Sequence, residues 1–358
     1  METLLITQAD IRRILDEIGR SEIMNRVIDR LTEGFRQVHL EGGELSPLRD
    51  GFLRPVPAPG IIEWMPHRAE GESVTIKTVA YSPGNPRLFG LPTILGTLTR
   101  FDDTTGRLVA VADGVLPTAI RTGAASAVAT RALARPDSRT VGLVGTGAQA
   151  VTQLHALSLV LPVERVLAWD TEPEHLRSFA RRVSFLGLDV EPATPADIAA
   201  RADVITTATS VGVGRGPVLP DVPGREHLHV NAVGADLVGK TELPQGLLER
   251  AVVCPDHPEQ ALREGECQRL AADALGPSLA RLCAEPGTAA ALRDTTTVFD
   301  STGIALEDHL VLDVLLEAAA ETGAGTGVDL EYHPEDALNP YSSQAVPAFG
   351  GDRIAITV

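Results

Sequence analysis

The chain has 358 residues, of which 44% are hydrophobic and 22% charged, and its formal net charge is −17. This length favours two domains, and the composition is typical of a soluble globular protein. The acidic balance disfavours nucleic acid and anionic membranes as partners, because both need a basic surface, and it mildly favours a cationic substrate.

Two further absences in the sequence narrow the class of protein. No apolar run reaches the roughly 20 residues of a membrane helix, and the N-terminus has no signal-peptide pattern. The three cysteines have no CxxC spacing, and the nine histidines form no HxxxH pattern, so neither a disulfide framework nor a metal site is indicated. No GxSxG motif supports a serine hydrolase. We therefore expect a cytoplasmic protein without a metal.

The first part of the chain predicts two helices followed by a β-rich region. The helices are expected at Gln8–Ile18 and Ser21–Val38, with Ser21 as an N-cap. Runs rich in β-branched residues and separated by turn residues then predict an antiparallel or mixed sheet. Its strands are expected at 61–65, 73–79, 93–99 and 107–111, and a helix of small residues follows from about Thr118 to Leu133.

After Arg135 the pattern changes to alternating strands and helices. Strands are expected at 140–144, 165–169, 204–208, 227–233, 251–253 and 297–299, and helices at 148–159, 172–185 and 304–321. This alternation predicts a doubly wound parallel sheet, so the fold class is α/β with a second, β-rich α+β domain.

The most specific local motif is VGLVGTGAQA at 141–150, in which Gly145-x-Gly147-x-x-Ala150 closes a strand and opens a helix. The first glycine permits a tight turn, the second lets a pyrophosphate approach the backbone, and the helix N-terminus attracts the anion. Asp170 ends the next strand, where an acid can accept hydrogen bonds from ribose hydroxyls. Because no Arg or Lys follows directly, NAD is favoured over NADP. The alternative is a glycine turn without a ligand.

Basic residues in the β-rich half form a second group. Lys77 lies in mid-strand among apolar residues, where an unpaired ammonium is costly, and Arg121 lies on a helix of small residues. Together with Arg49 they could bind a substrate carboxylate. The alternatives are a solvated sheet face or internal salt bridges, and the residues alone do not decide between them.

Two acids are candidates for proton transfer. Glu63 lies between Ile62 and Trp64 in an apolar strand, where burial would raise its pKa, although from the residues alone a solvated position is favoured. Asp236 follows the apolar run at 227–230, and it could cap a helix, bind a metal or transfer a proton beside a cofactor.

Three separated motifs together resemble the ornithine cyclodeaminase/μ-crystallin family. They are DGVLPTAIRTGAASAVATRALAR (113–135), the VGLVGTGAQA loop, and VGADLVGKTELP (233–244), in the expected order over nearly the whole chain. Within the family, SPLRDGF, IIEWMPHR, KTVAYSPGNP, GLPTILGT and DHPEQALREGECQ look most like bacterial lysine cyclodeaminases, which make L-pipecolate for secondary metabolites.

The resemblance implies a Rossmann domain at 135–305. It also implies a substrate-binding and dimerisation domain at 1–134, completed by 306–358, through which two chains form a homodimer. Arg49, Lys77 and Arg121 match the family's carboxylate clamp, Glu63 an acid near the reacting amines, and Asp236 the catalytic aspartate. Lys240 is expected to pair with an acid or support its loop. The implied NAD-binding set is Gly145, Thr146, Gly147, Ala148, Gln149, Asp170, Thr122, Thr209, Val233 and Gly234.

The implied reaction is cyclising deamination of L-lysine with recycled NAD⁺. The cofactor takes a hydride from Cα, the ε-amine closes the ring on the imine, ammonia leaves, and the same NADH reduces the cyclic imine. The ε-amine, with an ordinary pKa of about 10.4, must first lose a proton. We expect Asp236 to be the principal acid/base, assisted by Glu63, and Ile61, Met65 and Leu91 to set pocket depth.

Three alternatives remain at this stage. L-Ornithine, giving L-proline, is a close alternative substrate, since one methylene changes affinity by only about 1–3 kcal/mol. An NAD(P)H-dependent ketimine reductase would consume its cofactor. A binding or structural protein, as μ-crystallin illustrates, is disfavoured by the presence of Asp236, Glu63 and the three cations.

Overall fold

The computed structural model describes residues 2–43, 46–55, 60–222 and 225–342, and these form two seven-stranded sheets. One sheet is mixed and is built from the N-terminal part of the chain and one late strand. The other is entirely parallel and is built from the middle of the chain. Among the described residues, no helix is long and apolar enough to cross a membrane.

The mixed sheet has the order β14-β1-β6-β5-β4-β3-β2, in which only the β1–β6 pair is parallel. Its strands are β1 (Thr3–Ile6), β2 (Asp50–Arg54), β3 (Gly60–Ala69), β4 (Ser73–Tyr81), β5 (Ile94–Asp102), β6 (Leu108–Asp113) and β14 (Thr326–Val328).

The parallel sheet has the order β12-β13-β11-β10-β7-β8-β9, which is a doubly wound arrangement with its switch point between β7 and β10. Its strands are β7 (Thr140–Val144), β8 (Arg165–Trp169), β9 (Val190–Pro192), β10 (Val204–Thr207), β11 (His229–Ala232), β12 (Val252–Pro255) and β13 (Thr297–Asp300). Most of their residues are buried, as expected of a parallel sheet covered on both faces.

Twelve α-helices lie in the described chain. They are α1 (Gln8–Glu17), α2 (Arg20–Glu41), α3 (Asn85–Phe89), α4 (Val115–Leu133), α5 (Ala148–Val160), α6 (Pro173–Arg182), α7 (Pro195–Arg201), α8 (Gln245–Arg250), α9 (Pro258–Glu264), α10 (Leu279–Ala284), α11 (Pro286–Leu292) and α12 (Ala305–Thr322).

A core of small and aliphatic residues joins the two sheets. The small side chains of α4 let it pack closely on α2, α5 and α12, and a hydrophobic cluster unites residues of these four helices with Phe299 of β13. Helix α12 also packs on β3 and β4. The chain therefore returns from the parallel sheet to cover one face of the mixed sheet.

The predicted fold class, with a mixed and a parallel sheet, is confirmed. The expected N-cap at Ser21 is wrong, because α2 begins at Arg20 after Gly19, whose φ of +97° favours glycine. The predicted helix 172–185 ends at Arg182, and a short 3-10 turn follows. Strands β1, β2, β9 and β14 were not predicted, since they are short or lie beside turn residues. The domain division at 134/135 and 305/306 stays a prediction, and part of the 330–358 tail lies outside the described residues.

Candidate active site

The glycine loop lies at the carboxyl end of β7, at the switch point of the parallel sheet. Gly145 has a φ of +93°, and a Cβ there would lie 2.6 Å from the carbonyl oxygen of Ala208, so only glycine fits. A Cβ on Gly147 would meet no protein atom within 4 Å. Ala150 is fully buried against the sheet. The open space before Gly147 and the N-terminus of α5 fit a ligand phosphate that approaches the backbone.

Asp170 lies beside this loop and holds it. Its Oδ2 accepts hydrogen bonds from the backbone N (2.7 Å) and the Oγ1 (2.9 Å) of Thr146. The sequence did not indicate the cation nearby: Arg182, at the end of α6, donates to the carbonyl oxygens of Thr146 (2.6 Å) and Gly147 (3.2 Å). These hydrogen bonds hold the guanidinium of Arg182 against the backbone carbonyl groups of the loop.

Glu242 links the loops that follow β10 and β11, where further cofactor residues were expected. Its carboxylate accepts hydrogen bonds from the backbone N (2.8 Å) and Oγ1 (2.6 Å) of Thr209 and from the backbone N of Gly234 (2.7 Å). Glu242 is fully buried, and a Cβ on Gly234 would collide with it. Val233 is half-buried in the same segment.

The other expected cofactor residues lie where α4 and α5 meet. Gln149 Nε2 donates to the carbonyl oxygen of Ala119 (3.3 Å), and Thr122 Oγ1 donates to that of Thr118 (2.8 Å). Ala148 is the first residue of α5. The N-terminal half of α4 and the glycine loop are therefore adjacent, which brings Arg121 toward the end of the parallel sheet.

Lys77 and Arg121 share a pair of carboxylates on the first turn of α12. Lys77 Nζ lies 2.6 Å from Asp308 Oδ2, Arg121 Nε lies 3.2 Å from Asp308 Oδ1, and Arg121 Nη1 lies 2.6 Å from Glu307 Oε2. Burial, with a contribution from Arg121, lowers the pKa of Lys77 to about 8. Burial raises the pKa of Glu307 to about 7. The sequence left a solvated sheet face and internal salt bridges as alternatives for these cations, and the structure contains the salt bridges.

Arg49 precedes β2 and is held by three groups. Its Nε lies 2.5 Å from Glu264 Oε1, its Nη2 donates to the carbonyl oxygen of Thr302 (2.7 Å), and its Nη1 lies 3.9 Å from Glu63 Oε2. Burial and the charge of Arg49 both act to lower the pKa of Arg121, but Asp308 and Glu307 raise it overall. The three cations expected from the sequence are therefore gathered into one cluster.

Glu63 is buried, with 8% of its surface exposed, so the solvated position favoured from the residues alone is wrong. The alternation of β3 places it with Ile61 and Met65 on the buried face of the mixed sheet, the face that α12 covers. Burial raises the pKa of Glu63 despite the opposing effect of Arg49, and the charges of Asp236 and Glu264 raise it further.

Two of the three expected pocket residues lie in this region. Ile61 and Met65 are buried on the strand that carries Glu63, and the backbone register pairs Met65 with Lys77. Leu91 follows α3 and has 47% of its surface exposed. The role of all three in setting pocket depth stays a prediction.

Asp236 lies on the loop after β11 and pairs with Lys240, whose Nζ is 2.9 Å from its Oδ1. Lys240 Nζ also lies 5.2 Å from the centroid of the Tyr81 ring, which joins this loop to the end of β4. Burial acts to lower the pKa of Lys240, but Asp236 and Tyr81 raise it. The salt bridge confirms the expected pairing of Lys240 with an acid. Among the described residues, no group of three or more His, Cys, Asp or Glu side chains is arranged to hold a metal ion.

The loop after β13 supports both arginines. Asp256 accepts hydrogen bonds from the backbone N of Gly303 (2.7 Å) and from Thr302 Oγ1 (2.8 Å). Gly303 has a φ of +77°, and a Cβ there would lie 2.6 Å from Arg121 Nη1. This glycine is required for both its backbone conformation and the space that Arg121 occupies.

Sequence reasoning missed five acids that support the site: Asp256, Glu242, Glu264, Glu307 and Asp308. Acids in the first turn of a helix usually interact with solvent and the helix dipole, so the Glu-Asp pair at the start of α12 gave no distinct signal. The expected buried cations were themselves a signal, because each needs a nearby anion.

The cavity at the amino ends of the parallel strands does not locate this chemistry. One cavity of about 650 Å³ is lined by Arg139, Thr140, Arg165 and Asp203, at the amino ends of the parallel strands. The glycine loop and Asp236 lie at the opposite, carboxyl ends, where ligands bind in open α/β sheets. We therefore place the candidate site at the carboxyl ends.

Comparison with known proteins gives relatives over almost the whole chain. Residues 10–323 match the model of the ornithine cyclodeaminase/mu-crystallin family. An L-lysine cyclodeaminase of Streptomyces rapamycinicus is 54% identical over 342 residues, which is 96% of this chain and 100% of the relative.

Solved structures give the same result. A lysine cyclodeaminase, described in work on its recognition of L-lysine, L-ornithine and L-2,4-diaminobutyric acid, is 65% identical with a TM-score of 0.94, covering 96% of this chain and 100% of that chain. An archaeal alanine dehydrogenase dimer with bound NAD is 29% identical with a TM-score of 0.81, covering 92% and 100%.

Proposed function

The chain belongs to the ornithine cyclodeaminase/mu-crystallin family, and we propose that it is an enzyme that converts L-lysine to L-pipecolate and ammonia with recycled NAD⁺. The observation that carries the proposal is the 54% identity to an L-lysine cyclodeaminase over that relative's full length. The cluster of three cations and two candidate proton-transfer acids supports it, because a diamino acid presents one carboxylate and two amines.

The residues present fit a dinucleotide. Gly147 leaves space for a pyrophosphate, and Asp170 directly follows β8, where an acid can accept hydrogen bonds from adenosine ribose hydroxyls, with no cation among the residues directly after it. NAD⁺ bound here would accept a hydride from the substrate Cα and return it to the cyclic imine. Among relatives, the archaeal alanine dehydrogenase has been solved with bound NAD.

Arg49, Lys77 and Arg121 are proposed to bind the substrate α-carboxylate. Their side chains are at most 9% exposed and lie on or beside the covered face of the mixed sheet, and their mutual repulsion is offset by Glu264, Glu307 and Asp308. A guanidinium has five N–H donors and an ammonium three, so each cation retains donors beyond those used by its carboxylate partner. A substrate carboxylate is held by the remaining donors.

Asp236 and Glu63 are proposed to handle protons. Asp236 is partly accessible, with 33% of its side chain exposed, and lies on a loop at the carboxyl end of the parallel sheet. It therefore acts as the principal acid/base, taking a proton from the distal amine or delivering one to the leaving ammonia. Glu63, whose pKa burial raises above its ordinary value, binds and deprotonates the distal amine.

The open face of the mixed sheet supports a homodimer. Phe52, Ile62, Trp64 and Ile76 lie on the face opposite Glu63 and Lys77, and Phe52 is 67% exposed. The rings of Phe52 and Trp64 pack edge to face with centroids 5.3 Å apart. A second copy would bury this apolar surface.

The test is incubation with L-lysine or L-ornithine and a trace of NAD⁺, following ammonia and the cyclic amino acid. We expect many turnovers per NAD⁺ and a preference for L-lysine. L-Ornithine is the second candidate substrate, because a lysine cyclodeaminase of 65% identity has been studied for recognition of both. A stoichiometric requirement for added NADH or NADPH would instead indicate a ketimine reductase.

A further inference from the structure

The buried acids at the start of α12 have no assigned role in the reaction. We propose that Glu307 and Asp308, called here the α12 carboxylates, are positioning residues that hold Lys77 and Arg121 ready for the α-carboxylate of the substrate. This inference rests on the proposed function. It predicts that the two acids affect binding of the substrate carboxylate and not binding of the distal amine.

The α12 carboxylates bridge Lys77 and Arg121. Asp308 places one carboxylate oxygen on each cation, 2.6 Å from Lys77 Nζ and 3.2 Å from Arg121 Nε. Glu307 Oε2 then holds Arg121 Nη1 at 2.6 Å. These contacts fix the spacing of Lys77 and Arg121 and the rotation of the guanidinium plane.

All four side chains of this cluster are buried. Both α12 carboxylates are fully buried, and Lys77 is 1% and Arg121 6% exposed. A cation removed from water needs a nearby anion, so the two acids are what keep Lys77 and Arg121 charged and in place inside the protein.

The charges of the cluster also need the two acids. Lys77 and Arg121 carry like charges, and burial together with the charge of Arg121 lowers the pKa of Lys77 to about 8. Asp308 opposes this effect and favours the charged ammonium. Without Asp308, Lys77 would either lose its proton or move away, and either change removes a donor from the carboxylate clamp.

A competing account makes the opposite prediction. If the α12 carboxylates only compete with the substrate, their removal would free Lys77 and Arg121 and strengthen carboxylate binding. The two accounts are distinguished by ligands that lack either the distal amine or the carboxylate of lysine. L-Norleucine has the α-carboxylate but no distal amine, and cadaverine has both amines but no carboxylate.

The experiment measures binding of each ligand to the NAD⁺ complex by calorimetry, together with L-lysine turnover. Asp308→Asn keeps the shape of the side chain and removes its charge, and Glu307→Gln does the same for the second acid. We expect norleucine affinity to fall about tenfold in Asp308→Asn and about threefold in Glu307→Gln, whereas cadaverine affinity changes by less than about twofold.

The matched control is Asp313→Asn, which lies on the same helix and removes a 2.7 Å salt bridge to Arg100 away from the cluster. It should leave both affinities unchanged. If Asp308→Asn does not fold, the folded Glu307→Gln variant must still show the selective loss.

Unchanged or tighter norleucine binding, or an equal loss for both ligands, would overturn the inference. Wild-type protein that neither converts lysine nor binds norleucine would contradict the proposed function itself. Wild-type turnover with normal norleucine binding in both variants would overturn only the role of the α12 carboxylates.

Discussion

Asp236 and Lys240 form a 2.9 Å salt bridge within one loop, yet 33% of the Asp236 side chain is exposed and only 4% of the Lys240 side chain. The lysine is the buried support and the aspartate the accessible group. This asymmetry fits an acid that exchanges protons with a ligand while its partner fixes its position.

Replacement of Asp236 tests its proposed catalytic role. Asp236→Asn keeps the size of the side chain but cannot accept a proton, so we expect turnover of L-lysine to fall by about 10²–10⁴-fold. Binding of NADH, measured by fluorescence titration, should stay near the wild-type value. Asp273→Asn, at an exposed position, is the control. A near-normal rate for Asp236→Asn would exclude Asp236 as the principal acid/base.

Two glycines with similar backbone conformations allow the effect of backbone strain to be distinguished from the effect of displacing Arg121. Gly71 has a φ of +76° and open space around it, whereas Gly303 has a φ of +77° and a Cβ added there would lie 2.6 Å from Arg121 Nη1. Alanine at either position costs about 1–2 kcal/mol of backbone strain. Only Gly303→Ala should also raise the KM for L-lysine. Urea unfolding measures the loss of stability in both variants, and steady-state kinetics measures the KM. Equal KM values in the two variants would show that Gly303 does not support the carboxylate clamp.

Asp170 should set the choice of cofactor. Its carboxylate would repel a 2′-phosphate, so we expect kcat/KM with NAD⁺ to exceed that with NADP⁺ by at least about tenfold. Asp170→Ser should reduce this ratio, although it also removes the bonds to Thr146. The ratio in Asp189→Ser, an exposed position in the same domain, should match wild type. Equal use of both cofactors by the wild-type protein would contradict the assignment.

Glu266 is a fully buried acid that follows α9, and it should make the free energy of unfolding depend on pH. Burial and the charge of Asp300 raise its pKa to about 8, against about 4.3 in an unfolded chain. The native state therefore holds a proton that the unfolded state releases between these values. The contribution of this group to the free energy of unfolding is present below a pH of about 4.3 and is lost as the pH rises through about 8.

Urea unfolding between about pH 5 and 8 measures this effect. Glu266→Gln, which stays neutral, should show a smaller fall in stability across the range than wild type, and the exposed-site variant Glu259→Gln should follow wild type. The assignment fails if Glu266→Gln and wild type lose stability in parallel.

The sequence predicted the parts of the fold that depend on periodicity and local turns. The glycine loop, the strand at 165–169 before Asp170 and the helix of small residues, predicted at about 118–133 and observed at Val115–Leu133, follow from such local rules. Burial of Glu63 could not be predicted, because it depends on α12, which lies far along the chain and covers one face of β3. The partner of Lys77 was unpredictable for the same reason.

The central claim is that one cofactor carries a hydride away from lysine and returns it within the same reaction. L-Lysine deuterated at Cα, incubated with a trace of NAD⁺, tests this directly when the product is examined by mass spectrometry. We predict L-pipecolate that retains the deuterium, one ammonia per product, many products per NAD⁺, and no accumulation of NADH. Loss of the deuterium to solvent, or NADH formed in step with product, would contradict the account.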